Sequence, residues 1–146
     1  MLQRNRQNNT MYTRPDDVLG DWVRGVNERK INRVLELYDV SCTFLPTFSP
    51  HLHNTQNEIT SYFKKFISRP NVSVSLRLET MKTQHLGASI FALTGIYDFQ
   101  FDVEGRPVSF GSRFTFVIDI SKPRPIQHHH SSLIPRLLEL GRQAGE

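Results

Sequence analysis

The hydrophobic pattern of the chain has its main change of period near residue 70. Up to residue 69 the apolar residues recur mostly three and four positions apart, as they do on one face of a helix. From residue 71 onward they alternate with polar residues, as in Val72-Ser73-Val74-Ser75, which is typical of a strand with one buried and one wet face. Helices grouped first and strands grouped last predict an α+β fold, with the helices on one face of a curved antiparallel sheet.

Three helices are predicted before the sheet. The first opens at Pro15, because a proline is tolerated in the first helical turn. The third follows Thr55 and Glu58, which form a capping-box signature, and it stops before Pro70. The second, between them, carries its apolar residues at helical spacing: Ile31, Val34, Leu35 and Tyr38.

One short strand over residues 42–45 and four long strands are predicted. The strand in 88–101 carries apolar side chains on both parities, so both of its faces should be covered. If helices cover one face, the simplest way to bury the other is contact with the sheet of a second copy in a homodimer. In the next strand four residues share a parity that forms either this dimer face or the helix-facing core: Phe110, Phe114, Phe116 and Ile118.

The length of 146 residues suits one domain, predicted at 15–136, between a flexible polar tail at 1–14 and a C-terminal tail at 137–146. Cys42 is the only cysteine, which excludes an internal disulfide. No stretch has the length of a membrane span or the pattern of a signal peptide. A soluble, cytoplasmic protein with no membrane partner is therefore expected.

The formal charge of +4 does not indicate a nucleic-acid partner. Arg4, Arg6 and Arg14 precede the first acidic residue and carry three of the four charges. The rest of the chain is nearly neutral, whereas phosphate binding needs a concentrated basic face.

Several motifs, in this order and spacing, resemble the association domain of calcium/calmodulin-dependent protein kinase II. They are Phe44-Leu45-Pro46, Tyr62-Phe63 with Phe66, Ser112-Arg113-Phe114, and His128-x-His130-x-Ser132-x-x-Pro135. The resemblance covers about residues 16–136, within the nuclear transport factor 2-like superfamily that also holds ketosteroid isomerase and the polyketide cyclases. It implies a cone-shaped, highly curved antiparallel sheet with three N-terminal helices on its concave face, and a domain that self-associates as a homodimer or larger oligomer.

The resemblance also implies a deep pocket between helices and sheet, which is lined by arginines in the kinase association domains. Arg113 falls on one arginine position, whereas Thr94 and Ser131 stand at two others, and Ile59 replaces a histidine of the third helix. A small carboxylate or oxygen-rich ligand is expected, with no cofactor. The predicted pocket residues are Arg113, His129, Ser131, Thr94, Tyr97, Tyr62 and Trp22.

Arg113 is the strongest single candidate, because a guanidinium on an otherwise apolar strand needs an anion or several acceptors. It is either a ligand anchor, for which its fork is well shaped, or half of an internal ion pair, with Asp98 as one partner.

Three adjacent histidines stand in the last strand. Because side chains alternate between faces, His129 shares the pocket face with Ser131, while His128 and His130 point away. No placed carboxylate or thiolate accompanies them, so no metal site is predicted. The alternative function is a small cofactor-free enzyme of the isomerase, dehydratase or cyclase type. Asp98 and His129 are its weak candidates for acid/base catalysis.

Overall fold

The computed structural model describes residues 12–135, which form three helices and five strands. The helices are α1 (Pro15–Asn27), α2 (Ile31–Leu35) and α3 (Gln56–Ile67); the strands are β1 (Tyr38–Leu45), β2 (Ser73–His85), β3 (Ile90–Val103), β4 (Arg106–Asp119) and β5 (Ile126–Leu133). The predicted tails, apart from residues 12–14, lie outside this range. Within it, no helix is long and apolar enough to cross a membrane.

The five strands form one curved, open sheet in the order β1-β5-β4-β3-β2. Neighbouring strands are antiparallel, except that β1 runs parallel to β5 at the edge. The helices precede the four long strands along the chain and pack against one face of the sheet. The predicted α+β fold is confirmed.

Helix α3 begins as its sequence predicts. The Glu58 amide donates to Thr55 Oγ1 at 3.2 Å, and Glu58 Oε1 accepts from the Asn54 amide at 3.3 Å. The first bond satisfies an amide that the first helical turn leaves without a partner, and the second ties the residue before the N-cap to that turn. Ile59 and Phe63 on the opposite side of the helix are buried, so the cap orients an apolar face toward the sheet.

The second helix is shorter than predicted. It ends at Leu35, and Tyr38 begins β1 opposite Ile126 of β5 instead of continuing the helix. The Ile126 amide donates to the Leu37 carbonyl at 2.8 Å, which starts the parallel pairing. Tyr38 is buried in the strand. A helical position at this spacing would also face the core, so the spacing of the apolar residues could not distinguish a helix from a strand here.

The parity shared by Phe114, Phe116 and Ile118 faces the helices. These side chains are 3%, 0% and 0% exposed, and the Phe116 ring meets the Trp22 ring of α1 at 5.6 Å. The suggestion that this parity forms a dimer face is wrong, and the core alternative is correct. We call this helix-covered side of the sheet the inner face and the opposite side the outer face.

Truncation of Phe116 tests this assignment of faces. Phe116→Ala should lower the free energy of unfolding by about 3–5 kcal/mol, because it opens a cavity in a packed core. Ser109→Ala, at an exposed position of the same strand, should change it by less than about 0.5 kcal/mol. Urea unfolding at one fixed protein concentration measures both, and equal losses would contradict the assignment.

Candidate functional site

The inner face holds one buried imidazole, that of His129. Its ring lies between two phenyl rings, with centroids 3.7 Å from Phe116 and 4.8 Å from Phe44, and it is nearly parallel to both. The pairing of β5 with β4 fixes one neighbour, and the parallel pairing with β1 fixes the other, since His129 is opposite both residues. Only 1% of its surface is exposed.

Both ring nitrogens of His129 have partners. The Tyr38 hydroxyl lies 2.7 Å from Nδ1, and the Tyr97 hydroxyl lies 3.0 Å from Nε2. Trp22 Nε1 donates to the Tyr38 oxygen at 2.9 Å, which joins helix α1 to the network. A neutral imidazole has one donor and one acceptor, so one tyrosine donates to the ring and the other accepts from it.

Burial keeps this group uncharged. Desolvation holds the pKa of His129 well below the ordinary histidine value, and the neighbouring His128 and His130 lower it further. Desolvation also raises the pKa values of Tyr38 and Tyr97 well above the usual tyrosine value. The network is therefore neutral near pH 7, and its surroundings disfavour the protonated form that His129 would reach as a general base.

A cluster of hydroxyls lies beside this network, at the loop after β1. Thr47 Oγ1 lies 2.6 Å from Ser112 Oγ and 2.8 Å from Ser131 Oγ. Ser131 is two residues after His129 in β5, so the cluster lies beside the histidine on the same face of the sheet. Ser112 and Ser131 are buried, so these bonds satisfy polar groups that would otherwise be costly inside the core.

Two predicted pocket residues lie on the other side of the sheet. Arg113 is opposite Ile96 and Ser132, and Thr94 is opposite Thr115, which places all of them on the outer face. Arg113 is exposed, so its guanidinium needs no buried anion. The expectation that Arg113 and His129 share one cavity is wrong, because Ser112 and not Arg113 has the inward parity in β4.

Asp98 also lies on the outer face, where it pairs with Arg77. Arg77 Nε and Nη2 donate to its two carboxylate oxygens at 2.8 and 2.7 Å. These hydrogen bonds hold the pKa of Asp98 below its usual value. The suggested Arg113–Asp98 ion pair is therefore wrong, and the two acid/base candidates, Asp98 and His129, stand on opposite faces of the sheet.

The other predicted pocket residues are on the helix side. Trp22, Tyr97, His129 and Ser131 are packed into the core, where hydrogen bonds join the first three through Tyr38 and Ser131 bonds to Thr47. Tyr62 of α3 is half-buried and borders a surface groove beside that helix. His128 and His130 point outward as predicted, and the described part of the chain brings no three metal-binding side chains together.

Sequence reasoning missed two of the inner hydroxyls, those of Thr47 and Ser112, and placed Tyr38 in the second helix. Ser112 carried a signal, since it is a polar residue on the same parity as the buried phenylalanines of β4. Thr47 carried none, because a loop residue has no periodicity to interpret.

The architecture defines the class of protein: an α+β domain of the cystatin-like, nuclear transport factor 2-like type. Three solved structures share it. One from Xanthomonas campestris, described as a putative calcium/calmodulin dependent protein kinase II association domain, is 23% identical with a TM-score of 0.72, covering 81% of this chain and 84% of that one. An uncharacterised Caulobacter vibrioides protein with a cystatin-like fold is 10% identical, and the β subunit of benzoate 1,2-dioxygenase from Burkholderia mallei is 11% identical. For each of these two the TM-score is 0.68, with 82% of this chain and 87% of the other covered.

The sequence itself matches the calcium/calmodulin dependent protein kinase II association domain family over residues 16–135. The chain belongs to this family. A search of curated protein sequences finds no match.

The pKa of His129 makes stability depend on pH. The folded state keeps the ring neutral while the unfolded chain protonates it below about pH 6.5, so the unfolded state binds more protons there. The free energy of unfolding should therefore fall as the pH drops from 6.5 to 5, with His129 contributing up to about 1.4 kcal/mol per pH unit. The pKa of His128 is also lowered, so that residue contributes in the same direction.

Urea unfolding at several pH values measures this slope. His129→Gln should flatten it, whereas His130→Gln, at an exposed position of the same strand, should preserve the wild-type slope. If His129→Gln does not fold, the ring-nitrogen chemical shifts of His129 in the wild-type protein replace it. Shifts of the charged form at pH 6 would contradict the prediction.

Proposed function

We propose that this domain is a self-association module, which forms a homodimer or larger oligomer through the outer face of its sheet. Membership of an association-domain family supports self-association in general. The position of the helices supports the choice of face, since all three lie on the inner side and the described residues leave the outer side of β3, β4 and β5 without a covering layer.

The centre of the outer face has the composition of an interface core. Its side chains at Thr94, Ile96, Thr115 and Val117 are uncharged and half-buried. Charged residues lie around them, and two of these, Arg77 and Asp98, neutralise each other within the chain. An uncharged centre with a charged rim is the pattern of protein interfaces, and a twofold contact would bring this centre against itself.

A charge at this centre should therefore break the oligomer while leaving the fold intact. Wild-type protein at about 100 μM should sediment at a multiple of the 16.9 kDa chain mass. Val117→Glu should sediment as a 16.9 kDa monomer, because burying an unpaired carboxylate in the contact is prohibitively costly. Sedimentation velocity measures the mass, and circular dichroism checks that the variant is folded.

Gln56→Glu is the matched control, since it adds the same charge at an exposed position of α3 and should preserve the oligomer. If Val117→Glu loses its fold, Arg113→Glu provides the test at an exposed position of the outer face. A wild-type protein that is already monomeric at 100 μM would refute the proposal, and so would charge-bearing outer-face variants that stay oligomeric.

A further inference from the structure

A groove of about 580 Å³ runs between the loop after β1 and helix α3. Its volume is within the range typical of small-molecule sites. Neither the inner network nor the outer face contributes to it. The lining residues that matter for its chemistry are Phe48, His53, Tyr62, Lys65, Phe66 and Arg69.

One side of the groove is aromatic. The Phe48 and Tyr62 rings each stack on Phe66 with centroids 5.8 Å apart, and His53 lies 5.9 Å from Tyr62. These contacts build a continuous wall of ring faces and edges, which suits a planar apolar group.

Positive charge lies beside this wall. The Arg69 guanidinium stands over the Phe101 ring at 4.6 Å and the Phe48 ring at 5.8 Å, so aromatic contacts fix its position. Lys65 is one helical turn earlier and exposed. Glu58 is the acidic residue of the lining, but its carboxylate is occupied by the α3 cap. The groove therefore carries net positive charge.

The described residues leave two buried nitrogens without a hydrogen-bond partner, and both belong to side chains of this groove: Arg69 Nε and His53 Nδ1. A structural arginine normally donates to carbonyls or carboxylates, as Arg77 does to Asp98. Aromatic rings hold the Arg69 side chain in place, and its N–H groups have no protein acceptor among residues 12–135.

We propose that this groove binds a small aromatic carboxylate, with the carboxylate at Arg69 and Lys65 and the ring against Phe48, Tyr62 and Phe66. A planar guanidinium matches a carboxylate in geometry. A bare inorganic anion would leave the aromatic wall and most of the groove volume without contacts. The groove lies on the helix side of the molecule. The proposal is therefore independent of self-association through the outer face.

A nuclear magnetic resonance titration of the full chain with 2-naphthoate tests the proposal. Binding should saturate with a dissociation constant on the order of 0.1–1 mM, as expected for a ligand of this size, and shift amides of α3 and the loop after β1. The Arg69 Nε–H resonance should shift with them. Acetate, which lacks the ring, and 2-naphthalenemethanol, which lacks the charge, should each bind at least tenfold more weakly.

Substitutions then locate the carboxylate. Arg69→Gln should weaken naphthoate binding roughly tenfold or more, because a charge-assisted hydrogen bond is lost. Lys65→Gln should weaken it about two- to fivefold, as expected for an exposed charge pair. Lys64→Gln removes the same charge from the adjacent exposed position, outside the groove lining, and should leave binding unchanged.

Four results would overturn the proposal: no saturation with naphthoate, equal affinity for the neutral alcohol, shifts centred elsewhere, or an unaltered affinity in the folded Arg69→Gln variant. If that variant does not fold, Lys65→Gln compared with Lys64→Gln decides the question. Sedimentation of the same samples keeps the two proposals apart, since Lys65→Gln should leave the oligomer intact whether or not it binds naphthoate.

Discussion

The stacking of the His129 ring between two phenyl rings is the contact on which the interior depends. It joins β5 to both of its neighbours, through Phe44 of β1 and Phe116 of β4. Its two hydrogen bonds reach Tyr38 and Tyr97 and, through the first of these, helix α1. An apolar side chain of the same shape would stack as well, but it would leave two buried tyrosine hydroxyls without these partners.

In this arrangement both ring nitrogens of His129, a weak acid/base candidate from the sequence, are bonded to tyrosine hydroxyls. The low polarity that strengthens these hydrogen bonds also disfavours the charged form of the ring. The hydroxyls of Thr47, Ser112 and Ser131 are bonded to one another beside it. The few polar groups of an otherwise apolar inner face are therefore paired inside the core.

The fold could be predicted from the sequence because its signals are periodic. The change from helical spacing to alternation set the order of elements, and the Thr55–Glu58 pair marked the start of α3 correctly. Alternation also correctly placed His129 on the opposite face of the sheet from His128 and His130. It could not say which parity of β4 meets the helices, since a strand with apolar groups on both faces is consistent with either. The motif resemblance placed Arg113 on a pocket position, one residue away from Ser112, and a one-residue difference in a strand exchanges the two faces.

The groove beside α3 could not be predicted for a different reason. Its aromatic loop residues have no periodicity in the sequence, and its two cations, Lys65 and Arg69, occupy polar positions of the α3 pattern. An amphipathic pattern reports which residues avoid water, and it does not report which exposed residues meet across a gap. The Phe48 ring over Phe66 and the His53 ring beside Tyr62 bring the loop to the helix and place an aromatic wall beside two cations.

Helix α3 connects this groove to the interior of the domain. Phe63 of α3 stacks on Phe44 at 5.3 Å, and Phe44 stacks on His129, so a continuous column of rings reaches the sheet. Coupling between two sites requires an element with two arrangements that the ligands bind with different affinity. The His129 ring is held on both faces by phenyl rings and at both nitrogens by tyrosines, so it has one arrangement and not two. This packing favours a groove and an outer face that act independently.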